Sequence, residues 1–138
     1  MWRVEVAPDA EAAVVVTDPA AVEQVLFNLV DNACKYARGA EPAEIALTVG
    51  RRGPHLTLAV RDHGPGITPR EVARLFEPFR KSARDAAEGV AGVGLGLALS
   101  RRLARQMGGD LVSDPPADGG ARFVLRLPLG QPTASTTA

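Results

Sequence analysis

Asn28, Asn32 and Lys35 recur at i, i+4 and i+7 within residues 23–37. That spacing lines two amides and an amine along one side of a helix. Val22, Val25, Leu26, Leu29 and Ala33 also recur at helical spacing, forming an apolar stripe beside the polar one. Unpaired polar groups at a buried edge are costly, so the polar stripe calls for a partner. Asparagine carbonyls with a lysine suit a magnesium ion and its phosphates. Taken alone, the segment reads first as a half-exposed amphipathic helix, and its polar stripe gains meaning only from what surrounds it.

Three further groups could surround it. Asp62 closes an apolar strand and precedes Gly64 and Gly66, with Pro65 between them. A carboxylate at a strand end, approachable past glycines, can accept a hydrogen bond from the exocyclic amine of a flat heterocycle. This favours adenine over guanine, whose carbonyl at the corresponding place would leave a buried acid unpaired. A turn-forming Asp is the plain alternative. Gly92-Val93-Gly94-Leu95-Gly96-Leu97 opens a helix and delivers backbone N–H groups, a generic anion site. A polar loop and not a strand precedes it, so a Rossmann fingerprint does not apply, and no Gly-Lys-Ser/Thr follows it, so a Walker loop does not either. Phe76 and Phe79 flank an Arg/Lys/Gly-rich stretch and read as core residues or as anchors at the base of a lid.

The elements that must position these groups can be read in order. Arg3–Ala7 and Ala12–Thr17 read as strands joined by a turn at Pro8-Asp9. Thr17-Asp18-Pro19 starts the helix, which Gly39 closes. Strands at 44–49 and 55–61 form a hairpin, a short helix spans 69–75, and 80–91 is a polar loop. The last helix runs to about Met107, with Leu95, Leu99 and Leu103 on one face, and strands at 111–113 and 122–127 follow. This order predicts a two-layer α/β sandwich: a mixed, mostly antiparallel sheet of about five strands with about three helices on one face. One domain over 1–130 and a disordered tail over 131–138 are expected.

Composition narrows the classes. Sixteen basic residues balance sixteen acidic ones, so no global field points to nucleic acid or an anionic membrane surface. The single Cys34 rules out an internal disulfide and agrees with a reducing compartment. No run reaches membrane-spanning length, which makes a cytoplasmic location the expectation, including the cytosolic end of a membrane-anchored receptor. The strand pattern starting almost at Met1 suggests a piece of a longer protein.

Together the four blocks resemble the ATP-binding catalytic domain of sensor histidine kinases. Asn28-Leu-Val-Asp-Asn-Ala-Cys-Lys-Tyr36 is similar to the N box, Asp62-His-Gly-Pro-Gly-Ile67 to the G1 box, Leu75-Phe-Glu-Pro-Phe79 to the F box, and Gly92 through Leu99 to the G2 box. The resemblance runs from Val4 to Leu129 in motif order and spacing. It implies the Bergerat fold shared with gyrase, heat-shock chaperone and mismatch-repair ATPases, and ATP and Mg²⁺ as cofactors. It implies Asn32 on the metal, and Asn28, Lys35 and Tyr36 around phosphates and sugar. It puts Asp62 on the adenine amine with Gly64, Gly66 and Ile67 beside it. It wraps Gly92, Val93, Gly94, Leu95, Gly96 and Leu97 around the phosphates. Lys81 falls where the family often carries a lid arginine reaching the terminal phosphate, so it joins Asn28 as a catalytic candidate.

Some positions depart from the family. Val93 stands where Thr or Ser is common, and Arg122 where a small hydroxyl residue often precedes the last-strand Phe. Hydrolytic members of the superfamily carry a glutamate four residues before the magnesium asparagine; here that position is Asn28, an amide that cannot act as a general base. The resemblance therefore implies transfer of the γ-phosphoryl to a histidine on a separate helical hairpin, then to a response regulator. The chain alone is expected to be monomeric and unable to phosphorylate itself, in a parent that is a homodimer. Neither His55, in a strand, nor His63, in the G1 turn, resembles a phosphoacceptor. An anti-sigma-factor-type serine kinase and a non-catalytic nucleotide-sensing or interaction module are the alternatives; the clear F box argues against the first, and Mg-ATP binding separates the second.

Overall fold

A computed structural model describes residues 2–11, 13, 15, 17–36, 44–77 and 96–130, with Trp2 and Tyr36 described by their backbones alone. The described elements are β1 (Trp2–Val6), a 3-10 turn (Pro8–Ala10), α1 (Pro19–Tyr36), β2 (Ile45–Arg52), β3 (His55–Asp62), α2 (Pro69–Leu75), α3 (Gly96–Gln106), β4 (Asp110–Ser113) and β5 (Ala121–Pro128). The five strands form one sheet in the order β1-β2-β3-β5-β4. β1 runs parallel to β2, and every other pairing is antiparallel. The mixed, mostly antiparallel sheet and the three helices agree with the sequence-based expectation.

Alternation along β5 decides which face is covered. Ala121, Phe123, Leu125 and Leu127 are buried, while Arg122, Val124 and Arg126 between them are not. On β3, Leu58, Val60 and Asp62 share the buried face. α1 packs on β3, α3 packs on β4 and β5, and the two helices pack on each other. α2 inserts Leu75 into the same core, and Phe76 meets Phe123 edge-on with centroids 6.1 Å apart. Burying each of these large apolar side chains stabilises the fold by about 1.5–3 kcal/mol.

Local sequence explains the helix starts. Asp18 caps α1, its Oδ1 accepting from the Ala20 N–H at 3.0 Å, and Pro19 occupies a first-turn position that needs no donor. Thr68 and Glu71 form a reciprocal capping box at α2.

Two expectations are corrected. The segment Ala12–Thr17 is not a strand at its described positions 13, 15 and 17; positions 12, 14 and 16 lie outside the described residues. The 3-10 turn at Pro8 diverts the chain, with the Ala10 N–H donating to Ala7 O at 2.9 Å, and Val15 packs on the core instead of extending the sheet. On α3 the buried face is Leu97, Ser100 and Ala104, whereas Leu99 is 45% exposed. Leucines suggested one face by size, but α1 packs against the side that carries the small residues. Residues 131–138 and Leu95 lie outside the described residues.

Candidate functional site

Asp62 is the last residue of β3 and only 3% exposed. Its side-chain Oδ1 accepts from the Gly64 N–H at 2.8 Å, a local turn that fixes the carboxylate at the strand end. The loop between β4 and β5 closes on this turn. Gly120 has φ +80°, and a Cβ there would overlap the Asp62 carbonyl oxygen; a Cβ at Gly66, φ +84°, would lie 3.2 Å from Gly120 O. Two glycines therefore let two backbones meet behind the carboxylate. Ile67, half-buried, packs on the core next to them.

The strand register corrects the reading of Arg122. Asp62 pairs with Ala121, and Arg61 pairs with Arg122. Arg122 thus lies on the opposite face from Asp62, where its Nε donates to Asp114 O at 2.9 Å and its Nη2 meets Asp114 Oδ2 at 3.1 Å. The side chain beside Asp62 is the methyl of Ala121, so no hydroxyl stands at that place. Arg61 ties the same loop from the open face, with Nη2 2.8 Å from Asp118 Oδ1. The carboxyl of Asp118 is held below the ordinary range, first by its own backbone N–H and then by Arg61.

Along α1, the core stripe is as read: Val25, Leu29 and Ala33 are buried, with Val22, Leu26 and Val30 packed against them. The polar stripe divides into three situations. Asn28 Nδ2 donates to Ser100 Oγ at 2.9 Å and lies 3.4 Å from Gly96 O, joining α1 to the start of α3. Its Oδ1 accepts from Gln24 Nε2 at 3.3 Å. Asn32 is half-buried, and its side chain has no hydrogen bond to another described residue. Lys35 Nζ forms an i,i+4 ion pair with Asp31 Oδ2 at 3.0 Å, so it sits on the helix flank with its charge already compensated. Tyr36 ends α1, and its side chain lies outside the described residues.

The glycine-rich segment is described only from Gly96 onward, where Gly96 is exposed and Leu97 buried in the core. Lys81, Gly92, Val93, Gly94, Leu95 and Phe79 lie outside the described residues. Phe76 is reached by Arg101, whose guanidinium carbon stands 3.5 Å from the ring centroid. Arg101 Nε also donates to Leu111 O at 3.1 Å. Burial first, then Arg105, lowers the Arg101 pKa, and Asp110 partly opposes this.

The fold thus brings the Asn28 amide to Gly96, and it sets Ala33 and Val60, neighbours of Asn32 and Asp62, in one buried cluster. Sequence reading gave no site role to Ser100, Gly120, Ala121 or Arg101. Ser100 could have been noticed as the polar residue among Leu97, Ala104 and other small or apolar side chains; Gly120 carried no local signal, because its partner is 58 residues away in sequence.

The donor set fits a hard cation and an adenine nucleotide: an Asn32 amide oxygen without a described partner, and a buried acid behind a glycine cradle.

Residues 17–131 match the family of histidine kinase-, DNA gyrase B- and HSP90-like ATPases. The chain belongs to that ATPase family. The sensor histidine kinase RcsC of Escherichia coli is 38% identical over 112 residues, covering 81% of this chain and 12% of RcsC. The mycobacterial sensor histidine kinase MprB superposes with a TM-score of 0.76 at 31% identity, over 93% of this chain and 82% of that one. Full-length ShkA, solved in complex with AMPPNP, gives a TM-score of 0.74 at 29% identity, over 94% of this chain and 26% of that one. Within the ATPase family the chain is thus of the sensor-histidine-kinase catalytic type, and it spans a small part of curated relatives such as RcsC. No helix among the described residues is long and apolar enough to cross a membrane.

Proposed function

We propose that this chain holds Mg-ATP and presents its γ-phosphoryl to a histidine on a separate helical hairpin of a two-component sensor kinase. Asp62 would accept the adenine amine, with Gly64, Gly66 and Ile67 admitting the ring. Asn32 would give its carbonyl oxygen to the magnesium ion, which neutralises phosphate charge as the phosphoryl leaves. Asn28, Lys35 and Tyr36 would flank phosphates and ribose, and Gly92 through Leu97 would supply backbone N–H groups. Lys81 would face the terminal phosphate. Phosphoryl transfer needs mainly positioning and charge neutralisation from a protein.

The observation that carries this reading is Asn28. Four residues before Asn32 the chain has an amide already hydrogen-bonded to Ser100, not a carboxylate able to activate water. ATP held without a water-activating base stays intact for another acceptor.

The test is incubation of the chain with γ-labelled ATP and Mg²⁺, with and without a cognate dimerisation hairpin. Expected is negligible phosphate release by the chain alone and labelling of a hairpin histidine on mixing. Brisk hydrolysis by the chain alone, or no transfer to the hairpin of its own parent, would sink the proposal. A non-catalytic module would transfer nothing to the hairpin, and failure to bind Mg-ATP in calorimetry would favour it.

A further inference from the structure

Ser100 is fully buried on α3, one turn after Gly96. Its Oγ lies 2.7 Å from Gly96 O and 2.9 Å from Asn28 Nδ2. A serine hydroxyl can pair with either end of an asparagine amide, but the Gly96 carbonyl removes that freedom. A carbonyl only accepts, so it takes the serine proton, and the lone pairs left on Oγ require a donor from Asn28. A reversed amide would put Asn28 Oδ1 near Gly96 O, two acceptors at about the 3.4 Å now held by Nδ2. The order is therefore Asn28 N–H to Ser100 O–H to Gly96 C=O, and Oδ1 is turned along α1 toward Gln24.

This direction matters for what Asn28 can do. A phosphate oxygen needs a donor, whereas a cation or a water held by a cation needs an acceptor. We propose that Ser100 is a positioning residue that locks the Asn28 amide with its amino group turned in toward α3, leaving outward a carbonyl oxygen that accepts from Gln24 and keeps a second lone pair for a cation or its water. Asn28 then acts toward the metal side of Mg-ATP and makes no donor contact to phosphate. This rests on the Mg-ATP reading of the site. The bland competitor is a hydroxyl that only back-bonds to its own helix at i−4, a common role for serine.

Two readouts separate them. In nucleotide-free protein, NMR should show the Asn28 side-chain amide protected from water exchange in wild type and in Ser100→Thr, which keeps the hydroxyl, and unprotected in Ser100→Ala. By calorimetry, Ser100→Ala should lower the gain in ATP affinity that Mg²⁺ brings by about three- to tenfold, the range of one neutral hydrogen bond. Its Mg²⁺-free ATP affinity should stay within about twofold, and Ser100→Thr should restore the gain. Retained Asn28 protection in Ser100→Ala overturns the inference. So does an equal loss of affinity with and without Mg²⁺, which marks a general structural role. Should wild type bind no ATP in either condition, the functional reading fails, and the exchange experiment still decides how the amide points.

Discussion

At the scale of single residues, Asp62 is the most demanding position. A buried carboxylate tolerates little change in hydrogen-bonding capacity, because an unmet donor or acceptor costs about 1–3 kcal/mol. Asp62→Asn keeps the volume but puts an amino group either against the Gly64 N–H or toward the adenine amine. We expect ATP affinity to fall at least about tenfold while the circular dichroism spectrum and urea midpoint move little. Unchanged affinity by calorimetry would remove Asp62 from the site. Arg122 teaches the converse lesson. A strand flips side chains at every residue, so a one-position difference from Ala121 carries it to the other face of the sheet, where it holds Asp114.

Elements contribute what no single residue shows. The β4–β5 loop is tied to the sheet by Arg61 to Asp118 and by Arg122 to Asp114, and its last glycine lies against the backbone of Asp62. Gly120→Ala must place a side chain at φ +80° and into the Asp62 carbonyl. The expected loss of stability is about 2–5 kcal/mol, combining left-handed strain with overpacking. Urea titration reads this as a lower midpoint at unchanged slope; a midpoint equal to wild type would show that the loop stands off the turn. On the helix side, Arg101 joins α3 to the Phe76–Phe123 pair, so the end of α2, α3 and β5 are fixed together.

For the whole molecule, nucleotide and fold should be linked. The proposed site draws on α1, β3, the turn after β3 and the start of α3, so unfolding any of them dissolves it. A ligand that binds only the folded state stabilises it by about 2.7 kcal/mol at one hundred times its Kd. Scanning calorimetry should therefore show Tm rising by several degrees with saturating Mg-ATP, and by less with GTP. An equal rise with both nucleotides would deny Asp62 its role in choosing the base.

The sequence by itself determined the class and supplied the residue types of the proposed site. Period 3.6 over residues 22–33 and period 2 in the later strands specify elements because burial of apolar surface depends on those repeats, and the four motifs carry their own spacing. The helix start at Asp18-Pro19 and the Thr68/Glu71 box were equally local. Only the tertiary structure decided relations between distant segments. It set the parallel pairing of β1 with β2, the choice of Ala121 over Arg122 beside Asp62, and the burial of Ser100 in preference to Leu99. Which face of α3 turns inward depends on how closely α1 approaches, and small residues permit that approach where leucines do not. The direction of the Asn28 amide depends on a carbonyl 68 residues away, and no local pattern encodes it.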